Sequence, residues 1–282
     1  MRWVRVRHDG SEHTGRVVGD EVHLGSARSP LEAVLSGSED TGVVIPLTEG
    51  TLLAPVPPIR NVMCVGWNYL PHFEEGTSVH GERPLPKRPN IFTKATTTVA
   101  GPYDDIPLHA DVTSKLDWEV ELAVVIGERC VDLDESTALD VVAGYMVAQD
   151  IGARDIQHAH GGQWFRGKSL DGTCPTGPWL LSRDEVPDPQ VLDVSCSIDG
   201  VVKQAANTST MIFPVARILA ELSRGLTLLP GDIVLTGTPE GVGQSRTPPE
   251  FLATGMTIES TISGVGTIRN TVRCQGTPRQ AK

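Results

Sequence analysis

Asp117-Trp118-Glu119-Val120-Glu121-Leu122-Ala123-Val124-Val125-Ile126-Gly127 is the stretch on which the fold turns. From Leu122 to Ile126 it is continuously apolar, and Gly127 stops it, so it reads as a strand entering a core. Side chains alternate faces along a strand, so Glu119 and Glu121 point the same way, about 7 Å apart. Two carboxylates at the mouth of a buried strand repel each other unless a cation lies between them. A second apolar run, Tyr145-Met146-Val147-Ala148, ends in Gln149-Asp150 and supplies a third carboxylate. Three carboxylates with no neighbouring cysteine make a hard oxygen site, suited to Mg²⁺, Mn²⁺ or Ca²⁺ rather than Zn²⁺. Three protein ligands leave positions open for water and a chelating substrate. Removal of one such carboxylate is expected to relieve repulsion and spare the fold. The plainer alternative, a solvated strand face carrying two glutamates, is disfavoured by the apolar run and by the acid ending the second strand. His158-Ala159-His160 is the rival metal motif, but its two-residue spacing suits a strand and its surroundings read as helix or loop.

Outward from this stretch, strands outnumber helices. Trp3, Val4, Val6, Val17, Val18 and Val22 are interrupted by Asp9-Gly10 and Gly19-Asp20, which predicts short hairpin strands. Residues 30–37 predict one short helix. Ala54-Pro55-Val56-Pro57-Pro58 is stiff and poor in N–H donors. The domain boundary is set there, with a small β-containing domain over 1–55 and a larger one over 56–282. Asn61–Gly66 predicts a buried strand, and residues 75–90 a loop rich in Gly, Pro and charge. Ser136–Val142 predicts a helix with Ser136 as a cap option. Tyr145–Ala148 predicts a strand and Met211–Leu222 a helix. Leu226–Leu235 predicts strand on both sides of Pro230-Gly231, and Met256–Val265 a further strand. No regular βαβ alternation is present, which argues against a doubly wound sheet.

The 282 residues suit one large domain with a small appendage. With 39% hydrophobic and 21% charged residues, a sizeable core is available and disorder is excluded as the default. Lys plus Arg number 24 against 35 Asp plus Glu, a net charge of −11 without a long basic run, so nucleic acid and anionic membrane are poor partners. An anionic substrate therefore needs a local positive site. Five cysteines without CxxC spacing fit a reducing compartment, and Cys64 and Cys196 read as core residues. Met1 to Arg7 lacks an apolar signal core, and no run approaches the roughly 20 apolar residues of a membrane span. A cytoplasmic location is expected. Asn207-Thr208-Ser209 matches a glycosylation sequon but has no secretion signal to give it meaning.

Seven motifs in order give the chain a resemblance to the fumarylacetoacetate hydrolase superfamily over about residues 61–272. Gly66-Trp67-Asn68-Tyr69 with His72 and Glu75 resembles its GxNY…HxxE entry segment, and Phe92-Thr93-Lys94 its FxK. Asp117-Trp118-Glu119-Val120-Glu121 resembles its DxExE, and Gln149-Asp150-Ile151-Gly152-Ala153-Arg154-Asp155 its ND-x-(S/T)-ARD. Gly167-Lys168-Ser169 with Cys174 to Pro178, Gln204 to Phe213, and Gly231-Asp232 through Gly237-Thr238-Pro239-Glu240-Gly241-Val242-Gly243 resemble the remaining three. Gln149 stands in place of Asn, Gly152 in place of Ser or Thr, and Trp67 at a variable position that often helps choose substrate.

The resemblance implies an α+β, strand-rich fold, a mixed β-sandwich roll with a small N-terminal domain, usually a homodimer. It implies that Glu119, Glu121 and Asp150 hold one Mg²⁺ or Mn²⁺, and that the Lys168 ammonium sits beside the ion and offsets the excess of carboxylates. His72 and Glu75, spaced i, i+3, share a helical face, so Glu75 can orient His72 as the base that activates water. Asn68, Tyr69, Lys94, Gln204 and Thr238 are the implied contacts to a small anionic oxo-acid. In the reaction expected from these parts, the metal acts as a Lewis acid and stabilises an enolate of a chelated 2-oxo acid. Hydrolysis of a C–C bond in an acylpyruvate or fumarylpyruvate, as in aromatic catabolism, is the first expectation. Oxaloacetate decarboxylation, or isomerisation of 2-hydroxyhepta-2,4-diene-1,7-dioate, is the alternative on the same scaffold. A metal-binding relative without catalysis is the non-enzyme alternative, and the presence of both the base and the lysine argues against it. Pyruvate release from acetylpyruvate with and without EDTA separates these readings.

Overall fold

In the computed structural model, which describes residues 1–57, 60–76 and 84–275, the decisive stretch forms the strand Val120–Ile126, buried along its whole length. Its two faces enter different cores. Val120, Leu122, Val124 and Ile126 join one cluster, Ala123 and Val125 another. Burial on both faces is why the run is continuously apolar instead of alternating. The strand pairs antiparallel with Val142–Gln149 on one side and Ile233–Leu235 on the other. Beyond Val142–Gln149 the large sheet continues through Cys174–Ser182, Arg2–His8, Ser11–Val18 and Glu21–Gly25 to Asp40–Pro46. Beyond Ile233–Leu235 it continues through Val62–Gly66, joined in parallel, to Asn90–Lys94. A second sheet runs in the order Val201–Asn207, Asp193–Ile198, Thr257–Ile262, Gly266–Cys274, Ile106–Leu108. Its Val194, Cys196, Ile258, Ile262 and Ile268 share a core with Val120, Leu122 and Val124, so the two sheets stack face to face. The opposite face is covered by the helix Pro30–Ser36, through Leu31 and Val34. Ser29 caps that helix by accepting from the Glu32 N–H, and Pro30 opens its first turn.

The N-terminal strands add to the large sheet, because Arg2–His8 pairs with Cys174–Ser182. Val4, Val6, Val17, Val22, Leu24, Ile45 and Leu52 form a cluster of their own there. Asp9 (φ 48°) and Gly10 (φ 77°) both adopt the left-handed conformation, which closes a two-residue turn matched to the strand twist.

Several elements differ from the sequence expectation. Only Ala138–Val141 coils, as a 3-10 turn, and Ser136 is held in a turn ahead of it, where its N–H and hydroxyl both donate to the Asp134 carboxylate. The helix expected from Met211 begins at Val215, since Pro214 disfavours helical backbone at Phe213. Of Leu226–Leu235 only Ile233–Leu235 is strand. Leu228 makes one isolated bridge with Cys130, and the Asp232 carboxylate folds back onto the Leu229 N–H at 2.8 Å. Tyr145–Ala148 lengthens to Val142–Gln149, and Met256–Val265 shortens to Thr257–Ile262. The loop expected over 75–90 falls partly on residues 77–83, which lie outside the described residues. Cys64, Cys130, Cys174 and Cys196 are buried free thiols, and Cys274 is an exposed one. No helix among the described residues is long and apolar enough to cross a membrane.

Candidate active site

Strand pairing builds the acidic cluster. Val120 lies opposite Gln149, so Glu119 and Asp150 are brought side by side where their two strands end. The Asp150 N–H donates to the Glu119 carbonyl at 2.8 Å, and the Gln149 side-chain oxygen accepts the Glu119 N–H at 2.8 Å. Glu121 shares the face of Glu119, and one oxygen from each of Glu119, Glu121 and Asp150 lies within 4.8 Å of the others. All three are buried.

Three buried cations surround them. Lys168 Nζ donates to Glu119 Oε2 at 2.7 Å, to Asp150 Oδ2 at 2.9 Å and to the Asp150 carbonyl at 2.8 Å. Lys94 Nζ donates to the Ile151 carbonyl at 3.0 Å and lies 2.8 Å from Asp150 Oδ1 as an ion pair, without the alignment of a hydrogen bond. Arg154 clamps Asp117 Oδ2 at 2.8 Å and reaches Glu119 Oε1 with its other arm. Burial pushes the Glu119 carboxyl up, but the charges of Lys168 and Arg154 outweigh it and hold it at about 2. Glu121 is pushed the other way, well above the usual carboxylate range, by burial and by the Asp150 and Glu119 charges. Its one close donor among the described residues is the Gly237 N–H at 2.6 Å. Four carboxylates, counting Asp117, thus face three cations, and Glu121 is the unbalanced one. Arg154→Leu should leave Asp117 and Glu119 buried without their shared cation. A loss of about 3–5 kcal/mol in urea-unfolding stability is expected, the scale for breaking a buried ion pair. An unchanged unfolding midpoint would show the clamp to be dispensable.

His72 stands on the helix Leu70–Glu75, and its Nδ1 lies 3.0 Å from Glu75 Oε2. Glu75 also accepts the Gly241 N–H at 3.0 Å, which ties this pair to the loop carrying Thr238. The Trp67 indole stacks on the His72 imidazole, centroids 4.9 Å apart and planes 17° off parallel. Trp67 has φ 61°, a left-handed backbone uncommon for a bulky residue, which turns the ring back over the site. His72, Glu119, Glu121, Arg154 and Thr238 line one cavity of about 200 Å³, walled on one side by Trp67, Phe92 and Trp164.

Not every residue singled out in the sequence reaches that cavity. Asp150 and Lys168 are not among the residues lining it; Asp150 offers its own oxygen to the acidic cluster, and Lys168 bonds to Glu119 on the wall. Asn68 is spent on the scaffold, bonding the Phe213 N–H and carbonyl and the Thr236 carbonyl. Gln204 accepts the Val120 N–H and donates to Thr238 Oγ1 and the Pro239 carbonyl. Lys94 sits behind Asp150, and Tyr69 is packed in the core with its hydroxyl lacking a hydrogen-bond partner among the described residues. Of the five expected substrate contacts, Thr238 alone is on the wall. Asn68, Tyr69, Lys94 and Gln204 are not among the residues lining the cavity, and the Thr238 hydroxyl itself donates to the Val120 carbonyl at 2.9 Å and accepts from Gln204 Nε2 at 2.8 Å. Nor do His158 and His160 make a metal pair: His158 lies on the helix Arg154–Ala159, its Nε2 3.1 Å from Gln244 Oε1. Asp117 and Arg154 were visible within the quoted motifs yet not singled out, and Trp164 carried no motif at all.

The fold that carries this buried acid cluster and His–Glu pair is shared with known proteins. The family model "Fumarylacetoacetate (FAA) hydrolase C-terminal" matches residues 61–273, and the chain belongs to that family. Residues 1–55 match "Rv2993c-like, N-terminal". The chain is 44% identical over 227 residues to "Oxaloacetate tautomerase YisK" of Bacillus subtilis, covering 80% of this chain and 74% of that one. Among solved structures it is similar to a fumarylacetoacetate hydrolase of Exiguobacterium antarcticum, with TM-score 0.85, 40% identity, and coverage of 98% and 100% of the two chains. It is also similar to a 2-hydroxyhepta-2,4-diene-1,7-dioate isomerase of Mycobacterium marinum, with TM-score 0.83, 35% identity and the same coverage.

The donor set fits a hard divalent cation. Three carboxylate oxygens converge, Asp150 Oδ1 accepts no hydrogen bond among the described residues, and Glu121 faces two like charges that a cation would neutralise. An added 2+ charge also turns the one-unit excess of buried negative charge into a one-unit positive excess, which suits an anionic substrate.

Proposed function

We propose that the chain is a Mg²⁺- or Mn²⁺-dependent tautomerase that interconverts keto and enol forms of a small 2-oxo dicarboxylic acid of the oxaloacetate type. The observation that carries this is one cavity of about 200 Å³ lined by both the His72 imidazole and the Glu119 and Glu121 carboxylates. It is smaller than the roughly 300–1,000 Å³ pockets of drug-sized ligands, so it suits a small acid. The ion held by Glu119, Glu121 and Asp150 would polarise the substrate's keto oxygen as a Lewis acid. Glu75 accepts at His72 Nδ1, which leaves the Nε2 lone pair to take a proton from C3 and return it to oxygen. Lys168 and Arg154 keep Glu119 ionised and fixed in direction. Trp67 covers the flat face of the imidazole and limits its rotation.

Support comes from the likeness to an oxaloacetate tautomerase and to a dioate isomerase, both named for reactions that move a proton or a double bond without cleaving carbon from carbon. The acylpyruvate hydrolysis expected from the sequence is the second reading, supported by the likeness to a fumarylacetoacetate hydrolase. The experiment follows the ultraviolet absorbance of enol-oxaloacetate with Mg²⁺ or Mn²⁺ and measures pyruvate release in the same samples. Tautomerisation without pyruvate is expected. Pyruvate from acetylpyruvate at a higher kcat/KM would replace this reading by hydrolysis. His72→Gln should lower the tautomerisation rate by roughly 10²–10⁴, the usual scale for a general base, while metal affinity stays unchanged. An unaltered rate in that variant would remove His72 from the reaction.

A further inference from the structure

We propose that Trp164, with Trp67 and Phe92, is a partition that sets the length of acid the site accepts. This rests on the small-acid reading above and names the device that makes the acid small. The three aromatic residues are the ones that line both the cavity of about 200 Å³ at the carboxylates and a second cavity of about 480 Å³. Beyond the partition the second cavity is bounded by Phe73, Pro84 and Ile91 among others. Trp164 is the middle of the wall. Its ring meets Trp67 edge-on with centroids 6.3 Å apart, and Phe92 edge-on at 5.1 Å. Edge-to-face aromatic pairs in this range are mutually attractive, so the wall is held by its own contacts.

The backbone makes room for it. A Cβ on Gly66 would lie 2.3 Å from Trp164 Cζ3, a distance that real Cβ atoms do not show. Gly66 therefore admits the indole where any other residue would push it aside. Trp164 follows Gly161 (φ 59°) and Gly162 (φ 83°), two left-handed positions that bend the chain back towards the cavity. The Trp164 carbonyl also accepts the Lys168 N–H at 3.0 Å, so the turn that presents the wall is the turn that presents the lysine. An oxo-acid of four carbons fits on the near side. A longer chain has to displace an indole that is packed on both edges.

The test replaces Trp164 by Ala, which opens the partition, and by Phe, which keeps an aromatic wall. The probes are oxaloacetate and 2-oxopimelate, the seven-carbon saturated 2-oxo diacid. For both, exchange of the C3 hydrogens with deuterium in D₂O is followed by NMR. In Trp164→Ala the ratio of kcat/KM for 2-oxopimelate to that for oxaloacetate is expected to rise at least about tenfold, or 1.4 kcal/mol. Trp164→Phe should keep the ratio within about threefold of the parent, a difference near 0.7 kcal/mol. A ratio unmoved in Trp164→Ala, or equal losses on both acids, overturns the partition. Failure of the small-acid reading looks different, because the unaltered chain would then exchange neither acid. Calorimetric binding of the same two acids to the Mg²⁺-loaded protein then decides the partition alone: it stands if Trp164→Ala tightens 2-oxopimelate selectively and falls if it does not.

Discussion

Glu121→Gln is expected to abolish turnover and weaken Mn²⁺ binding by more than the roughly 10–100-fold typical of a lost outer-sphere partner, while the metal-free fold becomes no less stable. Glu121 is buried, lies beside Glu119 and Asp150, and has one close donor among the described residues, the Gly237 N–H. Burial and the two like charges raise its carboxyl well above the usual range in the folded chain. The sign follows from linkage. A carboxyl whose folded value exceeds its unfolded value binds protons more tightly when folded, so metal-free stability falls as pH rises from the unfolded value towards the folded one. A glutamine keeps the shape, cannot ionise, and removes that loss. Urea unfolding in EDTA at pH 7 should therefore show the variant at or above the parent, and the gap should close at acid pH. Mn²⁺ titration by calorimetry measures the other half. Parent-like metal affinity in Glu121→Gln would remove it from the ligand set, and a clear loss of metal-free stability would contradict its raised carboxyl.

Lys168→Met should act in the opposite sense. The ammonium donates to Glu119 and Asp150 at once and is itself buried. Burial lowers its proton affinity, but the Asp150 and Glu119 charges more than restore it. Without it Glu119 keeps Arg154 and Asp150 keeps Lys94, but the two carboxylates lose the cation they share in the protein interior, where breaking a buried ion pair costs about 3–5 kcal/mol. The metal-free variant is expected to lose stability on that scale. A divalent ion then relieves more repulsion than in the parent, so metal affinity should be unchanged or tighter, and Mn²⁺ should raise the melting temperature more. The kcat/KM for any oxo-acid is still expected to fall by at least about tenfold, since a positive charge that favours an anionic substrate is gone. Weaker metal binding in this variant would show that Lys168 helps hold the site instead of opposing the ion. Unchanged kinetics would place it outside the chemistry.

These two outcomes revise what the sequence implied. Three carboxylates on two strand ends predict that deleting any one relieves repulsion and spares the fold. The structure makes an exception of Asp150. Asp150→Ala would take from buried Lys94 its carboxylate partner, whereas after Glu119→Ala Lys168 keeps Asp150 and Arg154 keeps Asp117. Lys94 and Lys168 are 74 positions apart and converge on one carboxylate. Nothing local to either residue announces that.

What the sequence determined by itself is what period and composition can carry. The unbroken apolar run after Glu121 marked a strand entering the core, and the two-residue spacing of Glu119 and Glu121 put both acids on one face of it. Asp9-Gly10 marked a hairpin, residues 30–37 a short helix, and the order of seven motifs the family. What only the tertiary structure decided is which polar groups remain available. Asn68, Gln204 and Lys94 are motif residues whose donors and acceptors are consumed by backbone and carboxylate partners distant in the chain. Trp164, without a motif, comes to wall the cavity because Gly66, 98 positions earlier, leaves it room. A buried polar group must find a partner, and that partner is chosen by the pairing of sheets and loops in three dimensions, which one-dimensional spacing does not encode.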